Sequence, residues 1–278
     1  MISFPNCKIN FGLRVLEKRK DGFHNIDTIL IPVPWFDVLE VVKSEELSFQ
    51  ANGISIDESK KENLVVQAYR MLKRDFSLPP VNLFLLKNIP VGAGLGGGSA
   101  DAAFAIKLLN EKFDLQISAQ KQKKYAAKIG SDCAFFIDNK TGKATGRGEV
   151  MEEISFSLKG FHLLILKPEI NINTAEAYSW LDDYRTQNIF SFAKKSLTDL
   201  VKLPPNYWKQ NVVNDFEDVV FLRHPKLKKI KEQLYQCHAT FALMSGSGSS
   251  FFALFENETQ LNLAKKKFAS LKLFTHYF

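Results

Sequence analysis

Asn88-Ile-Pro-Val-Gly-Ala-Gly-Leu-Gly-Gly-Gly-Ser99 decides the reading of this 278-residue chain. Five glycines fall within the seven residues Gly92–Gly98. Ordering glycine costs more backbone entropy than ordering any other residue, so a merely flexible turn explains them poorly. Gly92, Gly94 and Gly97 satisfy G-x-G-x-x-G. A dinucleotide fingerprint, however, needs a buried strand after the following helix and an acid about 20 residues on. Asp114 has the spacing, but it sits in Lys112-Phe-Asp-Leu-Gln-Ile-Ser118, which runs into another helical pattern. A Walker A loop needs Gly-Lys-Ser/Thr, and Gly98-Ser99-Ala100 has no lysine. What remains is a cradle for a polyphosphate. Backbone without Cβ atoms can point successive amides into one concavity. A helix opening near Ser99 adds its unpaired N–H groups. The helix dipole supplies only roughly 0.3–1 kcal/mol, so charge-assisted hydrogen bonds must carry most of the affinity.

Working outward, the loop is preceded by a short apolar strand, Val81 to Leu86, and by a helix over Glu62 to Phe76 that Pro79-Pro80 ends. Ala100 to Lys112 reads as a helix, and Ser118 N-caps another that Gly130 closes. Toward the N-terminus, Cys7 to Val15 alternates strictly: Cys7, Ile9, Phe11, Leu13 and Val15 face one way, Lys8, Asn10, Gly12 and Arg14 the other. Period two marks a half-buried strand. Ile26 to Val33, Val38 to Val42 and Leu47 to Gln50 are further strands, so the first fifty residues are mostly β. Beyond Glu153 the pattern changes. Strands are expected at Phe161 to Leu166, Thr240 to Met244, Ser250 to Phe255 and Leu273 to Phe278. Thr174 is expected to cap a short helix, Phe216 to Gln236 and Gln260 to Leu271 to be helical, and Asn188 to Gln210 to be loop or short helices. Ser245-Gly-Ser-Gly-Ser249 is a second glycine motif. The order suggests an α+β chain of two domains, 1–155 and 156–278.

Composition agrees with an ordinary globular protein: 45% apolar and 24% charged residues, with net charge +7. The lysines are dispersed over Lys121 to Lys128, Lys226 to Lys231 and Lys265 to Lys267, as on solvated helix faces. Attraction of phosphorylated ligands is the next account of the charge, and a basic nucleic-acid-binding protein the rival from another class; no RNP-like aromatic motif accompanies the charges. Three cysteines, Cys7, Cys133 and Cys237, lack CxxC spacing, which argues against a disulfide framework or structural zinc and for a reducing cytoplasm. The N-terminus has no secretory pattern and no apolar run spans a bilayer, so no membrane partner is expected.

Pro90-Val-Gly-Ala-Gly-Leu-Gly-Gly-Gly-Ser-Ala100 resembles the second motif of the GHMP kinases, the superfamily of galactokinase and homoserine, mevalonate and phosphomevalonate kinases. Lys8-Ile-Asn10, Lys20-Asp-Gly-Phe-His24, Glu62-Asn-Leu64, Gly130-Ser-Asp132 and Gly146-Arg-Gly-Glu149 resemble one family within it, the 4-diphosphocytidyl-2-C-methyl-D-erythritol kinases. Ser245-Gly-Ser-Gly-Ser249 is similar to the superfamily's third glycine motif. These matches run from end to end of the chain in the family's order.

The resemblance implies an N-terminal domain like ribosomal protein S5 domain 2 and a ferredoxin-like C-terminal domain. It implies transfer of the ATP γ-phosphoryl group to the 2-hydroxyl of a cytidine-diphosphate-linked methylerythritol, in non-mevalonate isoprenoid synthesis. Another GHMP kinase is the alternative. Asp132 maps onto the family's base and Lys8 onto its essential lysine, so Asp132 is expected to accept the hydroxyl proton while Lys8 holds it ionised and orients the acceptor. Without the resemblance, Asp132 could equally cap the segment after Gly130, and Lys8 would be a surface lysine. ATP is expected along Pro90, Val91, Gly92, Ala93, Gly94, Leu95, Gly96, Gly97, Gly98, Ser99 and Ala100, with Asn63 and Lys87 nearby. The acceptor side is expected to use Asn10, Phe23, His24, Thr174, Tyr178, Gly246 and Gly248. Phe23 stands where the family usually has tyrosine. Mg²⁺ is expected with the nucleotide, held mostly by phosphates and water, with Ser99 its best protein candidate and no dedicated metal site. Cys7 and Cys133 flank Lys8 and Asp132 and are expected to be packing residues. A monomer or weak homodimer is expected.

Overall fold

The structure, a computed structural model, describes residues 1–56, 62–188 and 195–278. The chain begins with strands β1 (Ile2–Ser3), β2 (Asn6–Lys18), β3 (His24–Phe36), β4 (Val38–Lys43) and β5 (Ser48–Gly53). Helix α1 (Leu64–Phe76), strand β6 (Val81–Lys87) and helices α2 (Gly97–Lys112), α3 (Ala119–Ile129) and α4 (Phe135–Asp138) follow. Next come β7 (Gly142–Thr145), β8 (Val150–Glu153), β9 (His162–Lys167), α5 (Thr174–Gln187), α6 (Leu197–Leu200) and α7 (Trp208–Asn211). The chain closes with α8 (Phe216–Arg223), α9 (Pro225–Gln236), β10 (Phe241–Met244), β11 (Phe251–Phe255), α10 (Glu258–Lys267) and β12 (Lys272–Tyr277).

These elements form two compact units. The first comprises Met1–Lys8, Pro32–Val91 and Gly96–Lys140; the second comprises Ile9–Ile31, Gly92–Leu95 and Thr141–Phe278. In the first unit the sheet order is β1-β4-β6-β5. β5 and β6 are parallel, a pairing that needs a crossover, and α1 lies between them in sequence. Leu39, Val41, Leu83 and Leu85 alternate inward from the sheet, while Val65, Ala68, Tyr69 and Leu72 supply the buried stripe of α1. Helix α2 packs against α1, β4 and β1, and its alanines allow that close approach. No strand separates α2 from α3, so the dinucleotide reading of the glycines fails on topology.

In the second unit β9, α5, β10, β11, α10 and β12 form a βαββαβ series with antiparallel order β10-β11-β9-β12. That is the ferredoxin-like arrangement, with α6 to α9 inserted in its first crossover. Leu164, Leu166, Met244, Phe251 and Phe255 pack with Ala177, Leu181, Phe216, Val220, Leu234 and Phe268 in its core. A second sheet has the order β2-β3-β7-β8.

Several expectations change. β2 is buried from Asn6 to Val15 on both faces, not half-buried. At Gly12 the polar side is covered by Leu197 and Val212, whose side chains lie 2.8 and 3.0 Å from its Cβ position. The cap of α5 is Asn173, whose Oδ1 accepts from the Ala175 and Glu176 amides; Thr174 is the first helical residue of a fourteen-residue helix. The helix expected over Phe216 to Gln236 breaks at His224-Pro225, because proline cannot donate the backbone bond that continuity needs. α2 begins at Gly97, inside the glycine run. Ser118 caps α3 as expected, donated to by the Lys121 amide, while Gly130 ends it in extended backbone. The stretch from Asn188 to Gln210, expected as loop or short helices, holds the short helices α6 and part of α7, in keeping with that expectation; residues 189–194 lie outside the described residues. The hairpin β7–β8 was not anticipated.

Candidate active site

After β6 the chain turns into α2 through a loop in which Gly92, Gly94 and Gly96 have φ of 61°, 74° and 71°. They alternate with buried Ala93 and Leu95. Alternating left-handed and ordinary residues turn backbone amides into one concavity. Pro90, Gly97 and Ala100 are buried, whereas Val91, Gly92 and Gly98 are exposed and Ser99 is half-buried. Gly96 is the N-cap of α2 but provides no side-chain cap, and the first turn contains no acidic residue. The first amides of a sixteen-residue helix are thus left to an anion. Asn63 caps α1, its Oδ1 accepting from the Val65 amide at 2.9 Å. The neighbouring Leu64 Cδ1 lies 3.8 Å from where a Cβ of Gly98 would be.

Lys8 and Asp132 meet at the opening of α2. Lys8 Nζ lies 3.4 Å from Asp132 Oδ2. The lysine is buried, whereas the aspartate side chain is 36% exposed. A Cβ on Gly96 would lie 3.1 Å from Lys8 Cγ and Cε, so glycine here lets the lysine stem pass beside the helix cap. Asp132 stands in a 3-10 turn, Ser131–Ala134, and its side chain caps nothing, which removes the capping alternative. The adjacent Cys133 is close enough to Ser99, in the first turn of α2, for the serine to oppose the rise that burial imposes on its thiol. A cation, a half-exposed carboxylate and the positive end of a helix therefore share one small region. Such a set can orient a hydroxyl, take its proton and stabilise charge on a transferring phosphoryl group.

Lys87, expected near ATP, is buried between two carboxylates. It donates to Asp37 Oδ2, and to Asp101 Oδ2 at 2.7 Å. Asp37 Oδ1 also accepts the backbone amides of Asn88 at 2.6 Å and Ile89 at 2.9 Å. Burial alone would pull the Lys87 ammonium down, but Asp101 and Asp37 outweigh it and the group is raised. Burial, with Asp37 beside it, pushes Asp101 up to about 7 against the opposing pull of Lys87.

In the second unit the two glycine motifs touch backbone to backbone. Ser245 Oγ donates to the Gly94 carbonyl at 2.8 Å, and the Ser250 amide to the Ala93 carbonyl at 3.3 Å. A Cβ on Gly94 would fall on the Ser245 carbonyl oxygen. The Asn10 amide donates to Ser245 Oγ at 3.2 Å, and Asn10 Nδ2 to Thr28 Oγ1 at 3.0 Å. Asn10 Oδ1 lies 3.5 Å from the Cβ position of Gly246. Gly246 and Gly248, with φ of 58° and 95°, turn the second loop. Asn214 Nδ2 donates to the Met244 and Gly246 carbonyls at 2.7 and 2.8 Å. Glu217 Oε1 accepts the Met244 amide at 2.9 Å.

His24 and Tyr178 stack, with centroids 5.0 Å apart and planes 13° off parallel. Tyr178 also meets Phe216 edge-on, so it packs on the core of the second unit as well as on His24. His24 Nε2 is 2.7 Å from Asp182 Oδ1, and Lys18 is 2.6 Å from Asp182 Oδ2. Thr174 Oγ1 lies 2.9 Å from Ser247 Oγ. Phe23 is 53% exposed, with the Arg147 guanidinium 4.9 Å over its ring.

The residues group as Lys8 with Asp132, Gly96 and Ser99; Asn10 with Gly94 and Gly246; His24 with Tyr178; and Thr174 beside the second glycine motif. Sequence reasoning missed Asp37, Asp101, Thr28, Arg147, Asp182, Asn214 and Glu217. An acid three residues after the glycine run, at Asp101, and another at the break between two strands, at Asp37, were the available signals.

The family profile of the GHMP kinases N terminal domain matches residues 63–140, and that of GHMP kinases C terminal matches 199–271. A 4-diphosphocytidyl-2-C-methyl-D-erythritol kinase of Bacteroides fragilis is 44% identical over 265 residues, covering 94% of each chain. That of Parabacteroides distasonis is 47% identical over 259 residues, covering 93% of each. A crystal structure of 4-(cytidine 5'-diphospho)-2C-methyl-D-erythritol kinase matches the fold with TM-score 0.83 at 24% identity, over 99% of this chain and 98% of that one. Methanococcus jannaschii mevalonate kinase shares the fold at TM-score 0.70 and 14% identity, over 99% and 97%. The chain belongs to the GHMP kinase superfamily and, within it, to the 4-diphosphocytidyl-2-C-methyl-D-erythritol kinase family.

Proposed function

We propose that this chain transfers the γ-phosphoryl group of ATP to the 2-hydroxyl of 4-diphosphocytidyl-2-C-methyl-D-erythritol. The observation that carries the reading is the Lys8–Asp132 pair beside the uncapped first turn of α2. In the proposed reaction the acceptor oxygen bonds to the γ-phosphorus while the bond from that phosphorus to the β–γ bridging oxygen breaks. ADP leaves, and the hydroxyl proton passes to Asp132. Lys8 orients the acceptor and offsets charge on the moving group. A positioned base contributes typically ~10²–10⁴ in rate. The loop from Pro90 to Ala100 holds the nucleotide phosphates, with Asn63 at its edge. Asn10, Gly246, Gly248 and Thr174 belong to the acceptor side, and Phe23, His24 and Tyr178 to its base.

Among the described residues no group of three or more His, Cys, Asp or Glu side chains gathers to hold a metal ion. We assign Mg²⁺ to the nucleotide phosphates and water, as a hard cation that keeps several waters and binds with substrate phosphates, with Ser99 as its protein neighbour. The domain division near Ser155 is our reading as well, supported by its place between the two family matches. Three free cysteines support a reducing cytoplasm. Among the described residues no helix is long and apolar enough to cross a membrane. We infer a monomer or weak homodimer with no nucleic-acid partner.

The test is a coupled ADP-release assay with the cytidine compound, mevalonate and homoserine as acceptors. Turnover with the cytidine compound alone is expected. Preference for either other acceptor overturns the substrate assignment, and RNA retention at physiological salt without ATP turnover overturns the kinase reading.

A further inference from the structure

A loop with five glycines in seven residues is costly to order, and nucleotide must not bear that whole cost at each turnover. One assembly in the first unit meets this need. Asp37, at the break between β3 and β4, accepts the amides of Asn88 and Ile89, where the loop begins. Asp101, in the second turn of α2, stands where the loop has just ended. Lys87 Nζ donates to both carboxylates. It lies 3.3 Å from the Cβ position of Gly97, directly beside the first turn of α2. All three residues are at most 3% exposed, so no water competes for the contacts. Asp101 Oδ1 is buried with no hydrogen-bond partner among the described residues. An ordinary core position would not keep two carboxylates on one ammonium and leave an oxygen unmatched.

We propose that Asp101, acting with Asp37 through Lys87, is a positioning residue that staples both ends of the glycine loop in its nucleotide-binding shape. The proposal rests on the reading of this loop as the ATP site. The staple holds backbone amides in place before ATP arrives, so it acts on nucleotide affinity and not on the acceptor or the chemical step.

The experiment compares Asp101→Ala and Asp101→Asn with the full-length wild type in steady-state kinetics, direct ATP titration and thermal melting. Leu109→Ala, in the same helix and buried far along it, controls for simple loss of stability. Asp101→Ala is expected to raise the ATP KM and dissociation constant by about tenfold, leaving acceptor KM and saturating kcat nearly unchanged. Asparagine keeps the shape and one hydrogen bond to Lys87, so it should restore part of the affinity. If the alanine variant does not fold, the asparagine variant decides by the same readouts. An unchanged ATP KM, or a rise equalled by Leu109→Ala at matched melting temperature, overturns the staple. A fall in kcat at unchanged ATP KM does so too and moves Asp101 into the chemistry. A wild-type protein that neither binds nor turns over ATP removes the functional reading itself. Wild-type binding with normal binding by the variants removes only the staple.

Discussion

Lys8–Asp132 and Asp37–Lys87–Asp101 use the same two residue types within one unit, yet their surroundings differ in a way that suits opposite proposed purposes. In both, the lysine is buried. The difference is in the acids. Asp132 is 36% exposed, with its Oδ2 3.4 Å from the Lys8 ammonium. Asp37 and Asp101 are shut away from solvent and share their ammonium two to one. An exposed carboxylate can receive a proton from a ligand and return it to water. A buried one can only hold what is already around it. Solvent access, more than residue type, separates a pair able to do chemistry from a set that fixes a backbone.

Asp132→Asn should show the largest effect. Turnover is expected to fall by ~10²–10⁴. The urea midpoint should barely move, because the side chain is part-exposed and caps nothing. Turnover close to the wild type would leave Asp132 a positioning role and break the contrast on its catalytic side. Lys87→Met should act in the opposite sense. It strands two buried carboxylates, which is expected to cost about 3–5 kcal/mol of folding stability by urea denaturation. Lys8→Met should lose turnover at a smaller cost in stability, since the acid left behind reaches water. If Lys8→Met proves the more destabilising of the two, burial is not what distinguishes the assemblies.

The contrast sharpens further with pH. Asp101 is pushed up to about 7 by burial and by Asp37, with Lys87 opposing. Its ordinary value is 3.8, so the folded chain holds this proton more firmly than the unfolded chain does. The stability it contributes is therefore fully present below its ordinary value, and is lost as pH rises through the window up to about 7. Lys87 is raised and keeps its charge throughout. The stability of wild type relative to Asp101→Asn, from urea denaturation at about pH 5 and about pH 8, should be smaller at the higher value. A flat difference would show that the staple does not hold its carboxyl in this way.

How far the sequence could be read follows the same division. The glycine run, the alternation of Cys7 to Val15 and the second glycine motif were legible because local backbone demands wrote them. The Lys8–Asp132 pair was legible only through the family's motif, since 124 positions separate two residues that each look like surface charge. The staple was not legible. Asp37 and Asp101 look like any acids between apolar stretches, and only the fold shows them buried on one lysine. The hairpin β7–β8 escaped because Thr141-Gly-Lys-Ala-Thr-Gly-Arg-Gly148 has too few apolar residues to show a strand period; the structure pairs β7 with both β3 and β8. The 216–236 segment kept its apolar period across His224-Pro225, and periodicity outweighed a proline that should have ended the helix.

The smallest expected effect concerns the cysteines that adjoin the proposed catalytic pair in sequence. Cys7 follows Asn6 and precedes Lys8; Cys133 follows Asp132. Burial pushes both thiols up to about 12, with Asp132 adding to the effect on Cys133. Neither carries the thiolate that alkylation needs near neutral pH. Iodoacetamide should leave the native protein unlabelled at these two sites by mass spectrometry, and activity should persist. Cys133→Ala removes a buried thiol beside Ser99 yet leaves Lys8, Asp132 and the helix cap in place, so turnover should stay close to the wild type. Rapid labelling of Cys133 would mean that the turn carrying Asp132 opens to solvent far more than its 36% exposed side chain implies. The contrast between an accessible acid and a sealed interior would then have to be redrawn around the whole turn.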